Sequence, residues 1–374
     1  MRIGFFVWEY PPRLIGGLGT YPEYITRDLV KMGSDVVVFT LNPGQLKTSE
    51  VIHGVDVHRP LNVDASSVLR LFVGNELQSW GDQLRFFSSI FTNDILCTSK
   101  MLNSLIRKDG VKFDMICVHD WLGGMAASIV KAEEDLVNHG WGSEKIFVVW
   151  NGVDPEVYSP KAVSTSEVKA LRAKYGIKDG ETMILFVGRL NWVKGIINLV
   201  QAMPAIAKEY PKAKLVILGT GDEEANIRNL IKRLGIEKNV ICRFEFVPEH
   251  ERIVHYAACD IGAFPSVYEP FGIVSLEAMA LEKPILVGAK GVSGLREQVV
   301  SSEPGQTGIH VDGSSSTDIA WGLRQILSSP QKAKEWGRNA RQRVIDYFTW
   351  EKAARQTMDV YEGLVESYQR GSRK

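Results

Sequence analysis

Short apolar runs recur along the chain, and each is followed by a longer stretch that is apolar on one face only. The runs at residues 3–7, 35–40, 113–118, 145–150, 183–187, 214–218, 240–244, 259–265, 284–287 and 308–311 carry few polar residues. They read as strands covered on both sides, the pattern of parallel sheets. A weaker run, HGVDVHRP at 53–60, follows a glycine turn and reads as a short strand. The one-faced stretches at 21–32, 75–108, 166–175, 317–327, 331–347 and 351–367, and one ending at Leu234, read as helices. Strand and helix in alternation predict an α/β protein of two doubly wound domains facing a deep cleft. Ligands in such sheets bind beyond the carboxyl ends of the strands, where the strand order reverses.

Composition narrows the picture. A chain of 374 residues can bury two full cores. Its 44 Lys and Arg balance 44 Asp and Glu, so nothing argues for a nucleic-acid partner or an anionic membrane. The opening MRIGFFVWEY is too short an apolar run for a signal peptide, and no run reaches transmembrane length. Cys97, Cys117, Cys242 and Cys259 are scattered without metal-site or CxxC spacing. Three of them fall in or near apolar strand-like runs, which predicts buried free thiols in a cytoplasmic protein.

The richest candidate chemistry lies in SVYEPFGIVSLEAMA, residues 266–280. Glu269 and Glu277 are eight residues apart, about two helical turns. Pro270 blocks an earlier helix start, and Gly272 permits close backbone approach. The amides of Phe271, Gly272 and Ile273 would then form an anion site at a helix N-terminus. That suits a nucleotide sugar, with Glu269 on sugar hydroxyls, the amides on phosphate and Glu277 on the ribose. Acidic residues near a helix start are also favoured by the helix dipole alone, so both readings stand.

Other loops offer supporting groups. EYPPRLIGGLGTY (9–21) joins a strand to a helix as a phosphate cradle does. It fails as a dinucleotide fingerprint, because the third glycine position is Pro22 and the next strand ends in Leu41 and Asn42 without an acid. His119-Asp120-Trp121 ends a strand, where polar side chains face the crevice, and Asp120 suits a helix cap. GRLNWVKG (188–195) places Arg189 and Lys194 in one strand-to-helix loop, either for a pyrophosphate or as solvated charges. Gly219 and Gly221 form a second glycine loop suited to lining a nucleotide pocket. Gly291 and Gly294 permit close approach to a sugar or make a plain turn. The aromatics Trp80, Phe86, Phe87 and Phe91 either pack a helix on the sheet or form an acceptor platform.

EPFGIVSLE resembles the two-glutamate signature of retaining glycosyltransferases built from two facing Rossmann-like domains, the GT-B type, with glycogen and starch synthases as examples. The likeness spans most of the chain, and GGL, HDW, NGVDP and the GR/KG pair accompany it. It implies an N-terminal acceptor-side domain over 1–153, completed by a returning helix at 348–374, and a nucleotide-sugar domain over 154–347. It implies that Gly16, Gly17 and Leu18 meet the donor phosphates, with Arg13 the nearest cation where glycogen synthases carry a lysine at the position of Leu14. His119 would touch the donor sugar near its 6-hydroxyl. Arg189 and Lys194 would neutralise the departing diphosphate, and the base would dock on backbone at Phe246 and Val247. The implied reaction moves a glucosyl group from a UDP- or ADP-sugar to a glucan, with retention and without a metal. A small-sugar or lipid acceptor, or an inactive sugar-binding protein of this fold, are the alternatives. The family also carries further strand–helix units after its HDW strand, so a segment of about fifty residues is expected to be missing between Ile129 and Leu136, the alternative being a minimal domain whose helix continues through Lys131–Glu134.

Overall fold

The computed structural model describes residues 1–14, 17–64, 82–119, 149–291 and 293–371. Two compact units emerge: Met1–Val149 with Trp350–Lys374, and Trp150–Thr349. The boundary expected after Val153 falls slightly later than the one found. Val153 belongs with the second unit because its N–H donates to the Phe348 carbonyl at 2.9 Å. The expected break at 129–136 lies outside the described residues, as do most of the strand expected at 145–150, Asp120 and Trp80.

In unit 1, β1 (Arg2–Phe6), β2 (Asp35–Phe39), β3 (Ser49–Ile52), β4 (Val55–His58) and β5 (Met115–Val118) form a sheet in the order β3-β4-β2-β1-β5. All pairings are parallel except the β3–β4 hairpin. β3 was not expected, because its alternating exposure leaves no apolar run. Helix α1 (Gly17–Lys31) begins earlier than expected, so Gly17 and Leu18 belong to its first turn rather than to a loop before it. Helix α2 (Asp82–Ser99) continues as a π-helical stretch, Lys100–Lys108.

Unit 2 is built on an all-parallel six-stranded sheet. Its strands are β6 (Thr182–Val187), β7 (Ala213–Leu218), β8 (Val240–Arg243), β9 (Ile261–Phe264), β10 (Ile285–Gly288) and β11 (Gly308–Val311). The spatial order β11-β10-β9-β6-β7-β8 reverses between β6 and β9. Alternate residues of β6 supply two cores. Met183, Leu185 and Val187 face one side, against helices α3 (Thr165–Lys174) and α6 (Glu249–Ala258). Ile184 and Phe186 face the other, against α4 (Ile196–Glu209) and α5 (Glu224–Leu234). Helix α7 (Ile273–Ala280) follows β9, and α8 (Leu295–Gln298) follows β10. Helices α9 (Ser316–Leu327) and α10 (Pro330–Tyr347) close the unit. The last helix, α11 (Trp350–Gly371), belongs to unit 1, where Trp350 stacks on Tyr24 of α1 with ring centroids 5.3 Å apart. Among the described residues no helix is long and apolar enough to cross a membrane.

The four thiols are free, but only Cys97 and Cys259 are buried. Cys97 lies on a helix, not in a strand. Burial still pushes all four thiols upward, Cys117 and Cys242 to about 11 and Cys259 to about 12.

Candidate active site

The order reversal in unit 2 puts the loops after β6 and β9 side by side, and these loops carry the charged motif residues. After β6 the chain makes a 3-10 turn, Trp192–Lys194, before α4. After β9 it runs through Ser266 and Glu269 to Gly272. The N–H of Val267 donates to the Val193 carbonyl at 2.8 Å, which ties the loops together. A Cβ on Gly195 would sit 1.9 Å from the Pro265 carbonyl oxygen, so only glycine allows this approach.

Lys194 Nζ forms an ion pair with Glu269 Oε2, and Glu269 is 7% exposed. Glu269 is held from the other side by backbone: its carbonyl accepts from the Gly294 N–H at 2.8 Å. Gly294 thus packs on the motif loop, where a Cβ would meet the Pro270 carbonyl, so this packing alone already calls for glycine there. Gly291 meets nothing nearby. Arg189 is exposed and has no ion-pair partner among the described residues. Gly272 caps α7 at φ 86, a left-handed conformation that favours glycine. The N–H groups of Phe271, Gly272 and Ile273 donate to no described residue, so three backbone donors are left over at the start of α7.

Glu277 is enclosed by protein groups. It is 5% exposed, and protein groups take both its carboxylate oxygens. Oε1 accepts from Tyr158 Oη at 2.8 Å and Arg252 Nη2 at 3.2 Å, and Oε2 accepts from Tyr256 Oη at 2.7 Å. Burial, reinforced by the adjoining carboxylate, pushes both phenols well up, so each donates as a neutral hydroxyl. The same carboxylate raises Arg252 further. Glu277 is thus the hub of an internal network, in which α6 and the segment carrying Tyr158 converge on one carboxylate. Sequence reasoning missed Tyr158, Arg252 and Tyr256.

The second glycine loop has a structural explanation. A Cβ on Gly219 would lie 2.0 Å from the Gly188 carbonyl oxygen, and one on Gly221 would lie 2.3 Å from that of Leu190. Leu190 N–H donates to Thr220 O at 2.8 Å, so this loop is laced to the Arg189 loop. Phe246 is 72% exposed and Val247 is buried, in the loop that follows β8.

In unit 1, His119 follows β5, donates its N–H to Phe6 O at 3.0 Å and stacks on Tyr21 with centroids 4.6 Å apart. Arg13 is half-buried and lines a groove of about 410 Å³ with Trp8, Asn42 and Phe86. Phe86 meets Trp8 edge-on, while Phe87 packs on Phe91. Gly16 and the side chain of Leu18 lie outside the described residues. Among the described residues no three of His, Cys, Asp and Glu cluster as metal ligands.

Residues 2–210 match the starch synthase catalytic domain family, and residues 167–343 match glycosyl transferases group 1. The chain belongs to the starch synthase-type glycosyltransferases. It is 30% identical to an uncharacterised glycosyltransferase of Methanocaldococcus jannaschii, covering 98% of this chain and 99% of that one. That alignment spans 426 positions, more than the 374 residues present here, so the relative carries insertions that this chain lacks. A glycogen synthase of Mycobacterium tuberculosis is 26% identical over 96% of this chain and 94% of its own. A D-inositol 3-phosphate glycosyltransferase of Corynebacterium urealyticum is 28% identical over 93% of this chain and 91% of its own. The catalytic domain of starch synthase IV from Arabidopsis thaliana, bound to ADP and acarbose, has the same fold at a TM-score of 0.73 and 14% identity, covering 98% of this chain and 99% of that one. Two Rossmann-like domains of the GT-B type, expected from the sequence, are the fold of this glycosyltransferase.

Proposed function

We propose that this glycosyltransferase moves a glucosyl group, with retention, from a UDP- or ADP-sugar to a hydroxyl of an α-glucan in the cytoplasm. The Lys194–Glu269 pair at the switch point of unit 2, beside the unspent amides at Phe271–Ile273, carries this reading. The acceptor oxygen bonds to the anomeric carbon on the face from which the phosphate oxygen leaves. The acceptor's proton passes to that departing oxygen, so no enzymic nucleophile is needed and Glu269 orients the sugar. Arg189, Lys194 and the amides offset the charge that builds on the diphosphate, the role a divalent metal would otherwise fill. His119 is assigned to the sugar's 6-hydroxyl, Arg13 and Gly16–Leu18 to the donor phosphates, and the backbone at Phe246 and Val247 to the base, all on family likeness. Glu277 is assigned a ribose contact only through a lone pair left over from its internal network.

Likeness to the D-inositol 3-phosphate glycosyltransferase keeps a second reading, a small acceptor. The test incubates the protein with each of several nucleotide sugars and with glycogen or inositol phosphate, and identifies products by mass. Glucosyl transfer to glycogen that survives exhaustive chelation is the expected result. Transfer only to the small acceptor replaces the glucan assignment, and activity restored only by magnesium or manganese overturns the role given to the cation pair.

A further inference from the structure

We propose that unit 2 carries a second carbohydrate site, apart from the reacting centre, that holds a neutral α-glucan chain in the groove between α4 and α5. The groove is about 700 Å³, within the range of small-molecule sites. Neither Lys194, Glu269 nor Gly272 lines it, so it is not the place assigned to the donor.

Its chemistry selects a sugar. Trp192 stands at the groove with 67% of its surface exposed. An exposed indole offers a flat apolar face with a polar edge, which matches the C–H face and hydroxyl rim of a pyranose ring. Asn198, Gln201 and Asn229 supply carboxamides, which both donate and accept hydrogen bonds, as a sugar hydroxyl does. Asn198 Nδ2 is fixed on the Gly313 carbonyl at 2.8 Å, which orients its remaining oxygen. Gln201 and Asn229 are exposed and hydrogen-bond to no described residue. The charged lining residues, Glu223 and Arg233, cancel, so an anion such as a phosphate has no advantage here. Ile197, Leu230 and Val267 add apolar surface, so the groove combines apolar contact, carboxamides and no net charge, which fits a neutral polyol with its C–H faces and hydroxyls.

The site rests on the glucan reading of the acceptor, and it adds a reason for polymer preference. A chain gripped at the groove keeps its free end at high effective concentration near the loop two residues from Trp192, which carries Lys194. A short oligosaccharide gains nothing from this.

The test titrates the full chain, saturated with UDP, with maltoheptaose by calorimetry, in wild type, Trp192→Ala and Asn229→Leu. Each variant is expected to bind roughly tenfold more weakly. Asn229→Leu, on α5 and away from the catalytic loops, should raise the KM for glycogen by a similar factor while leaving kcat and KM for maltotriose unchanged. Maltoheptaose binding that is absent in the wild type, or equal in all three proteins, overturns the site. If the titration distinguishes the variants but no glucan is extended, the site stands and the acceptor assigned above falls.

Discussion

Arg189 and Lys194 stand on one loop in different surroundings, so their removal should be felt differently. Arg189→Ala takes away an exposed cation with no ion-pair partner among the described residues. It should lower turnover roughly 10²–10³-fold and leave the urea midpoint unchanged. Lys194→Met also strips a buried carboxylate of its charged donor, so it should lose turnover and about 1–3 kcal/mol of stability. Rates and urea unfolding on the same preparations check both, and normal turnover in Arg189→Ala would sink the diphosphate assignment. Tyr256→Phe should cost about 1–3 kcal/mol, because it leaves Glu277 Oε2 without its donor in a fully buried site. Equilibrium unfolding reads this, and an unchanged stability would mean the network does not depend on that bond. The carboxylates and cations could be singled out by residue type and spacing, but those left a helix-dipole or solvated-loop reading equally open, and the family resemblance carried their roles. The partners of Glu277 could not be singled out, since Tyr256 and Tyr158 stand 21 and 119 residues away and nothing local marks either as a donor.

At the scale of elements, the strands could be read to within a few residues because burial on both faces leaves no other place for such apolar runs. The hairpin strand β3 escaped, since an edge strand with an exposed face carries no such run. The glycine loops were legible as loops but not in purpose. Gly219 adopts φ 140 and lies against the Gly188 backbone, so packing between the loops after β6 and β7 already demands glycine there. Gly219→Ala is expected to cost about 1–3 kcal/mol from backbone strain alone, with the carbonyl clash in addition. Because the displaced carbonyl adjoins Arg189, weaker binding of UDP should accompany the loss. Thermal unfolding with and without UDP measures both, and a variant as stable as wild type would show that the loop can open at no cost.

At the scale of the molecule, alternation of strand and helix gave two doubly wound domains, while strand order depended on long-range pairing that periodicity does not encode. Both cores of unit 2 lie within one uninterrupted stretch of chain. Residues 150–349 made alone should therefore fold cooperatively, seen as a single calorimetric transition, and a molten fragment would contradict this. Unit 1 is different. Trp350 stacks on Tyr24, and Tyr361 Oη donates to Cys117 Sγ at 3.0 Å, so α11 is part of its structure. A chain ending at Thr349 should keep the transition of unit 2 and lose that of unit 1. The same return of the last helix sets an order of birth. The first strands leave the ribosome early, yet α11 is translated last, some 200 residues after unit 1 is otherwise complete. At cellular elongation rates that wait is roughly 10–40 s. The half of the protein made first is thus finished last, and until then its α1 face stays open to whatever chaperone or neighbour reaches it.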